Sequence, residues 1–360
     1  MSRQESKIGK RRELSFSGLA THAKGVEVMK KLLCLIGAVT LMLGVLAVQE
    51  AAAQTVTLRY AHMNAPSSIA GQQAALLAKT IEEKTKGAVK VNVFPASQLG
   101  TLQEQAEAVS SGTVQLHHNT MAGIGSLYEP FGALDTPFMY KDIQHLMRVA
   151  DPNSPVMKKL GEGLLKARGV RVFYTFYFGT RQLTADRQVL SPKDLQGLKI
   201  RAIPFPIYMA AVEGMGAVAT PVDFAELSTQ LATKAVNGQE NPVDTIFANK
   251  FYETQSHLML TGHIKGAELV VFNEAAWQKL SPTLQGQIME AASEVSKIAT
   301  QMTMESDDSY TKQLADKGMK VIGPKEGLDI AAFRSRVQDL VSKRFDAKFG
   351  EVYKEIRAIQ

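Results

Sequence analysis

From Thr55 onward the apolar residues switch repeatedly between two periods, and that switching restricts the fold more than any other feature of the chain. Val56, Leu58 and Tyr60 alternate as in a strand, and Ala70, Ala74, Leu77 and Ile81 then follow at helical spacing up to Lys86-Gly87. Val89, Val91 and Val93 resume the strand period. Leu102, Ala106 and Val109 return to the helical one until Gly112, and Val114, Leu116 and His118 make a third strand. Strands separated by helices of this length predict a parallel sheet with right-handed crossovers, an α/β architecture.

Upstream of this pattern, Lys30 and Lys31 precede an apolar run at 32–48 that ends beside Ala51, Ala52 and Ala53. The run is short for a membrane span and has the layout of a cleaved secretory signal. A start at Met29 and cleavage near Ala53 are expected, which makes residues 1–53 an N-terminal extension plus leader and places the mature protein in the periplasm. Cys34, the chain's one cysteine, falls inside the leader, so thiol catalysis, disulfides and cysteine-based zinc sites are excluded from the mature part. The formal charge of +6 is partly the leader's: residues 1–53 carry eight of 41 Lys and Arg and four of 35 Asp and Glu. A remainder of about +2 gives no reason to expect nucleic acid or a membrane surface as partner.

About 300 residues suit two lobes better than one core. Lobe I is expected over 54–178 and lobe II over 179–266. Residues 267–305 return to lobe I and begin a long helix, and 306–360 pack on lobe II. Ser281 and Pro282 start that helix as N-cap and first residue, and it extends toward Gly318. Phe333, Val337, Leu340, Val341 and Phe345 define a last amphipathic helix.

Residues 191–242 carry the candidate chemistry. Leu198, Ile200 and Ala202 alternate with Lys199, Arg201 and Ile203 before Pro204 and Pro206, which places Arg201 near a strand's C-terminal end. Ligands of open α/β sheets bind there, and a guanidinium fork matches a carboxylate; a solvated edge charge is the other reading. Asp223 and Glu226 are spaced as a capping box, which puts Phe224 in a helix's first turn, beside a solute or as a packing staple. Gln239, Glu240 and Asn241 read as a turn closed by Pro242. In lobe I, Asn64, Asn119 and Thr120 lie at strand ends, as hydrogen-bonding partners of a solute or as turn formers. His117 and His118 are adjacent on a strand and face opposite ways, so no metal site is expected on them.

The segments GLKIR, TPVDFAEL, NGQENP and KFYETQSHLMLTGH, with VFPASQLGTLQEQAEAVSSGTV in lobe I, resemble the solute-binding receptors of tripartite ATP-independent periplasmic (TRAP) transporters, the DctP family. Ile203 and Asn237 depart from the family's usual Pro and Asp. The resemblance covers 54–360 and implies a two-lobed periplasmic-binding-protein-like fold, with a ligand cleft between the lobes and a long helix spanning both. It implies that Arg201 pairs with a solute carboxylate, that Asn241 hydrogen-bonds the same group, that Arg181 adds charge from lobe II, that Phe224 packs on the carbon skeleton, and that His263 lies at the cleft edge. The family's sialate binders carry an acidic residue near Thr120, and this sequence has none there.

The implied function is capture of a small organic-acid anion and delivery to the small and large membrane permease subunits, by a monomer without cofactor or metal. A sensor ectodomain serving a signalling partner is the alternative. An enzyme is not expected: neither HExxH nor GxSxG occurs.

Overall fold

The computed structural model describes Thr55–Gln360 and, upstream of them, Met29 alone. The leader and its cleavage site lie outside the described residues. Lobe I opens as β1 (Val56–Ala61), α1 (Ile69–Lys84), β2 (Val89–Phe94), α2 (Leu102–Ser111) and β3 (Leu116–Thr120). The Ser68 hydroxyl caps α1, a Thr101–Glu104 capping box starts α2, and Gly112 ends it in the left-handed region. Next come α3 (Met121–Ile124), α4 (Ile143–Ala150), α5 (Pro155–Arg168) and β4 (Val170–Ala185). Lobe II holds β5 (Lys199–Ala202), α6 (Pro206–Met215), β6 (Val218–Pro221), α7 (Phe224–Ala232), β7 (Gly238–Pro242) and α8 (Val243–Ala248). The chain continues as β8 (His257–Asn273), α9 (Glu274–Gln278), α10 (Pro282–Asp316), β9 (Lys320–Ile322) and α11 (Ile330–Ala358).

One sheet of order β2-β1-β3-β8-β4-β7-β5-β6 serves both lobes, with β9 on β8. The expected parallel pairing holds for β1 with β2 and β3, and for β5 with β6 and β7. The centre differs. Strands β4 and β8 are antiparallel and 16 and 17 residues long, and each runs straight through a position, 178/179 or 266/267, at which the sequence reading divides the lobes. The reason is the register: Gly179 pairs with Gly266 beside a bulge, so the two glycines bend continuous strands at one level instead of ending them. Gly179 has φ +118°, and a Cβ there would lie 2.8 Å from the Pro242 Cβ. Gly179→Ala is therefore expected to cost about 1–3 kcal/mol, seen as a lower melting temperature by circular dichroism. An unchanged melt would mean that the bend tolerates a side chain.

Helix α10 is 35 residues, about 52 Å at 1.5 Å per residue. Its Ile288 and Val295 pack with Val270 and Phe272 in lobe I, and Leu314 packs with Leu227 and Leu258 in lobe II. Each such side chain contributes about 1.5–3 kcal/mol on burial against about 1 kcal/mol for a cap, so packing fixes the helix across both lobes. Helix α11, expected on lobe II, in fact spans both. Val337 lies against Gly214 and Arg344 pairs with Glu213 in lobe II, while Phe349 covers Gly132 and Tyr353 accepts from the Thr136 hydroxyl in lobe I. Its 29 residues outrun lobe II's surface and carry the apolar stripe onward through Phe345, Phe349, Val352 and Ile356.

Candidate functional site

Arg201 stands one residue before the end of β5 and is 0% exposed. The alternation that suggested a single buried face is overridden there, because the turn 222–224 leading into α7 covers the other face too. The Arg201 Nε donates to the Val222 carbonyl oxygen at 2.8 Å, while Nη1 and Nη2 have no hydrogen-bond partner among the described residues. Burial presses its pKa down to about 10, with Glu240 and Asp223 pulling the other way. A buried fork with two free donors is a demand for an anion with two acceptor oxygens. Phe224 lies under it, ring centroid 5.9 Å from the Arg201 Cζ, and packs edge-on against Phe251. The expected capping box does not form. Asp223 occupies the N-cap without a side-chain bond to α7, and its carboxylate adds negative charge near Arg201.

Arg181 is already held. Its Nε donates to Glu240 Oε2 at 2.5 Å, and Nη2 donates to Glu240 Oε1 at 2.9 Å and to the Asn241 Oδ1 at 3.0 Å. Nη1 is buried without a partner among the described residues. His263 Nε2 meets the same Glu240 oxygen at 3.0 Å. Burial alone works against both charges, but each offsets it for the other: Glu240 is held down to about 2 by Arg181 and His263, and Arg181 is held above its ordinary value. Burial lowers His263, which leaves it neutral. Residues 239–241, read from sequence as a turn, are a fully buried strand between β4 and β5, because their polar side chains find partners inside the protein. Asn241 gives both ends of its amide to neighbours, the oxygen to Arg181 and the nitrogen to Gln239 Oε1. The Tyr208 ring of α6 lies 5.1 Å beneath the Arg181 Cζ.

Lobe I supplies a polar wall at the ends of β1 and β3. The Asn64 Oδ1 meets His118 Nε2 at 2.8 Å, and the buried Asn64 Nδ2 has no partner among the described residues. His118 Nδ1 meets the Tyr60 hydroxyl at 2.7 Å, and the His62 ring stacks on His118 with centroids 4.6 Å apart. Burial lowers His62 to about 3 and holds His118 well below the ordinary range, so both stay neutral. Thr120 accepts from the Gly123 amide through its hydroxyl. Asn119 does not join this wall. Strand alternation turns it away toward His117 Nε2 at 3.2 Å and the Leu102 carbonyl, over Gly123. Among the described residues no cluster suited to a metal ion occurs.

Two acidic groups escaped the sequence reading. Asp135 accepts from the Ala122 amide at 2.7 Å and is raised to about 6 by burial. Glu268 lies directly opposite Thr120 in the β3–β8 register, which corrects the expectation that nothing acidic is near Thr120. The signal was available: it is the one charged residue in the apolar stretch AELVVF, 267–272. The lobes also touch at Asp244 of α8, whose Oδ2 accepts from the Ile69 amide at the start of α1, 3.0 Å away.

The fold is shared with solved solute-binding proteins. The description "Bacterial extracellular solute-binding protein, family 7" (DctP) matches residues 60–348. The chain is 31% identical over 295 residues to the sialic acid-binding periplasmic protein SiaP of Vibrio cholerae, covering 82% of this chain and 90% of that one. It is 32% identical over 269 residues to the 2,3-diketo-L-gulonate-binding periplasmic protein YiaO of Escherichia coli, covering 74% and 79%. A TRAP periplasmic solute-binding protein of Roseobacter denitrificans, solved with L-galactonate, superposes with TM-score 0.78 at 26% identity, covering 84% of this chain and 99% of that one. Another, from Bordetella bronchispeptica with density assigned to pantoate, gives TM-score 0.78 at 28% identity, covering 85% and 99%. The chain belongs to the DctP family of bacterial extracellular solute-binding proteins, the receptors of TRAP transporters.

Proposed function

We propose that this chain is a periplasmic receptor that captures a small organic-acid anion between its lobes and delivers it to the small and large permease subunits of a TRAP transporter. One observation carries the reading: Arg201 is fully buried with both Nη donors free among the described residues. A solute carboxylate accepts both. Arg181 is neutralised by Glu240 and acts mainly by holding Asn241 and Tyr208 in place, with Nη1 as its one donor left for the solute. Phe224 packs on the carbon skeleton, Asn64 and Thr120 contribute from lobe I, and His263 braces Glu240. The solute-bound proteins of similar fold hold L-galactonate and pantoate, both carboxylates.

Lobe movement is expected at the paired glycines 179 and 266, with the Asp244–Ile69 contact formed on closure. A solute that bridges the lobes favours the closed arrangement by its differential affinity, and the permease reads the closed surface. Small-angle scattering is expected to show compaction on adding a bound acid.

Arg201→Lys keeps the charge and loses the fork, and is expected to weaken carboxylate binding by about ten- to a hundredfold with an unchanged fold. Calorimetric titration of the purified protein, unfolded and refolded to strip carried-over solute, checks this against a panel of L-galactonate, pantoate, D-erythronate and succinate. Equal affinities for Lys and Arg would remove Arg201 from the site.

A further inference from the structure

Glu268 has no role in the carboxylate clamp, and its surroundings are unusual. It is 0% exposed, and neither side-chain oxygen has a hydrogen-bond partner among the described residues. Its strand neighbours are Thr120 at the end of β3 and Phe176 on β4. Asp135 of lobe I and Arg181 of lobe II both act electrostatically on Glu268, so it sits close to where the two lobes meet. A buried carboxyl with two free oxygens at that place requires a polar partner as surely as Arg201 does.

The charges around the cleft decide what the partner is. Arg181 is neutralised by Glu240, and the histidines His62, His118 and His263 are held neutral by burial. Arg201 is thus the one cation in this set without a salt-bridge partner among the described residues, with Asp223 and Glu240 acting on it only at longer range, while Asp135 and Glu268 are buried acidic groups of lobe I. An acid with one carboxylate completes the balance. A second carboxylate would be buried near the Asp135 carboxylate with no unpaired cation of this set left beside it, which is strongly unfavourable.

We propose that Glu268 sets the solute class: its carboxyl group hydrogen-bonds a hydroxyl of the solute in a wall that holds no second unpaired cation, so that the acid clamped by Arg201 is a singly charged hydroxy acid. This rests on the carboxylate reading of Arg201. Burial, with Asp135 adding to it and Arg181 opposing, pushes Glu268 up to about 8, so at neutral pH it carries its proton and can donate as well as accept. The titratable groups that act on it are Tyr60 from β1, Arg181 from β4 and Asp135 from the segment after α3; His118 lies two residues before its register partner Thr120 on β3, and Tyr208 from α6 lies near Asp135 and Arg181. Asp135 titrates near 6, the tyrosines are raised, and His118 stays neutral. Between pH 7 and 9 Glu268 is therefore the group of this set that changes charge. Its ionised form loses the donor and repels the bound carboxylate, so affinity is full below about 8 and falls as pH rises through that value, by up to about tenfold per unit.

The test is calorimetric titration of the purified protein with L-galactonate, D-erythronate, pantoate and succinate at pH 7, 8 and 9, for the parent, Glu268→Gln, Glu268→Leu and Arg201→Lys. The parent is expected to bind at least one of the three hydroxy acids tenfold or more tighter than succinate, with affinity falling from pH 8 to 9. Glu268→Gln keeps the shape and a donor, and is expected to retain binding while flattening the pH profile. Glu268→Leu is expected to lose tenfold or more for the hydroxy acid. Succinate as the tightest ligand, failure of all three hydroxy acids to bind, or a Gln variant with the parent's pH profile each overturns the proposal. The Arg201→Lys arm separates the two readings. If it loses acid binding while Glu268 proves indifferent, only the Glu268 assignment falls, whereas parental affinity in that arm removes the clamp as well.

Discussion

Arg201→Met is expected to make the protein more stable without solute and unable to hold one. In the parent, Arg201 is buried with one internal hydrogen bond, through Nε to Val222, and two free Nη groups. Removing a buried charge that has no ion-pair partner relieves a desolvation penalty of roughly several kcal/mol, and the Val222 carbonyl left without its donor costs about 1–3 kcal/mol, so the net is a gain. For binding the sign reverses. Two charge-assisted hydrogen bonds at about 1.5–3 kcal/mol each make the loss about 3–6 kcal/mol, or two to four orders of magnitude in affinity. A residue retained for folding would show the opposite stability change.

Glu240→Gln is expected to be the most damaging single change in the cleft. It leaves Arg181 buried without a counter-charge, and breaking a buried pair from one side costs about 3–5 kcal/mol. At a few degrees per kcal/mol, the melting temperature falls by roughly ten degrees, which scanning calorimetry at pH 7 would register. The loss also depends on pH in a definite direction. Glu240 titrates at about 2 in the fold, below its ordinary value, so its contribution is present above the unfolded value near 4.5 and is lost as pH falls toward 2. The parent and variant curves should therefore converge in acid. Arg181→Met combined with Glu240→Gln should recover much of the loss, because no buried charge is then left unpaired. A single variant as stable as the parent would show that Arg181 finds compensation elsewhere.

How much of this was legible in the sequence depends on whether local pattern or tertiary contact decided each element. The alternation from Val56 to His118 named β1, α1, β2, α2 and β3 because each buries one face and carries its own caps. Helix α10 was legible from Ser281-Pro282 and the absence of a strong breaker before Gly318. Strands β4 and β8 were not recognised as continuous, since a glycine within a strand reads as an ending until its partner across the sheet is known. The 239–241 strand was hidden for the same kind of reason: Gln, Glu and Asn favour turns unless distant groups such as Arg181 and Thr184 satisfy them.

The cations of the candidate site stood out in the sequence and its acids less so. Arg201 followed from a strand end, and Arg181 followed only from resemblance to the DctP receptors. Thr120 and Asn64 were named, but Asn119 was placed in the same wall although strand alternation turns it away. Glu268 and Asp135 went unnamed because each lies next to Thr120 or Arg181 only through the register and the chain path. His62 was passed over as part of a strand end, yet it stacks on His118.

Whether Arg201 is kept for a carboxylate or for the fold is decided most directly by scanning calorimetry of the parent and Arg201→Met, each with and without the tightest-binding acid of the panel. A residue kept for a carboxylate predicts that the variant melts above the parent when no acid is present, and that the acid raises the melting temperature of the parent alone. A variant that melts lower without acid, or shifts with acid as far as the parent does, would contradict that role.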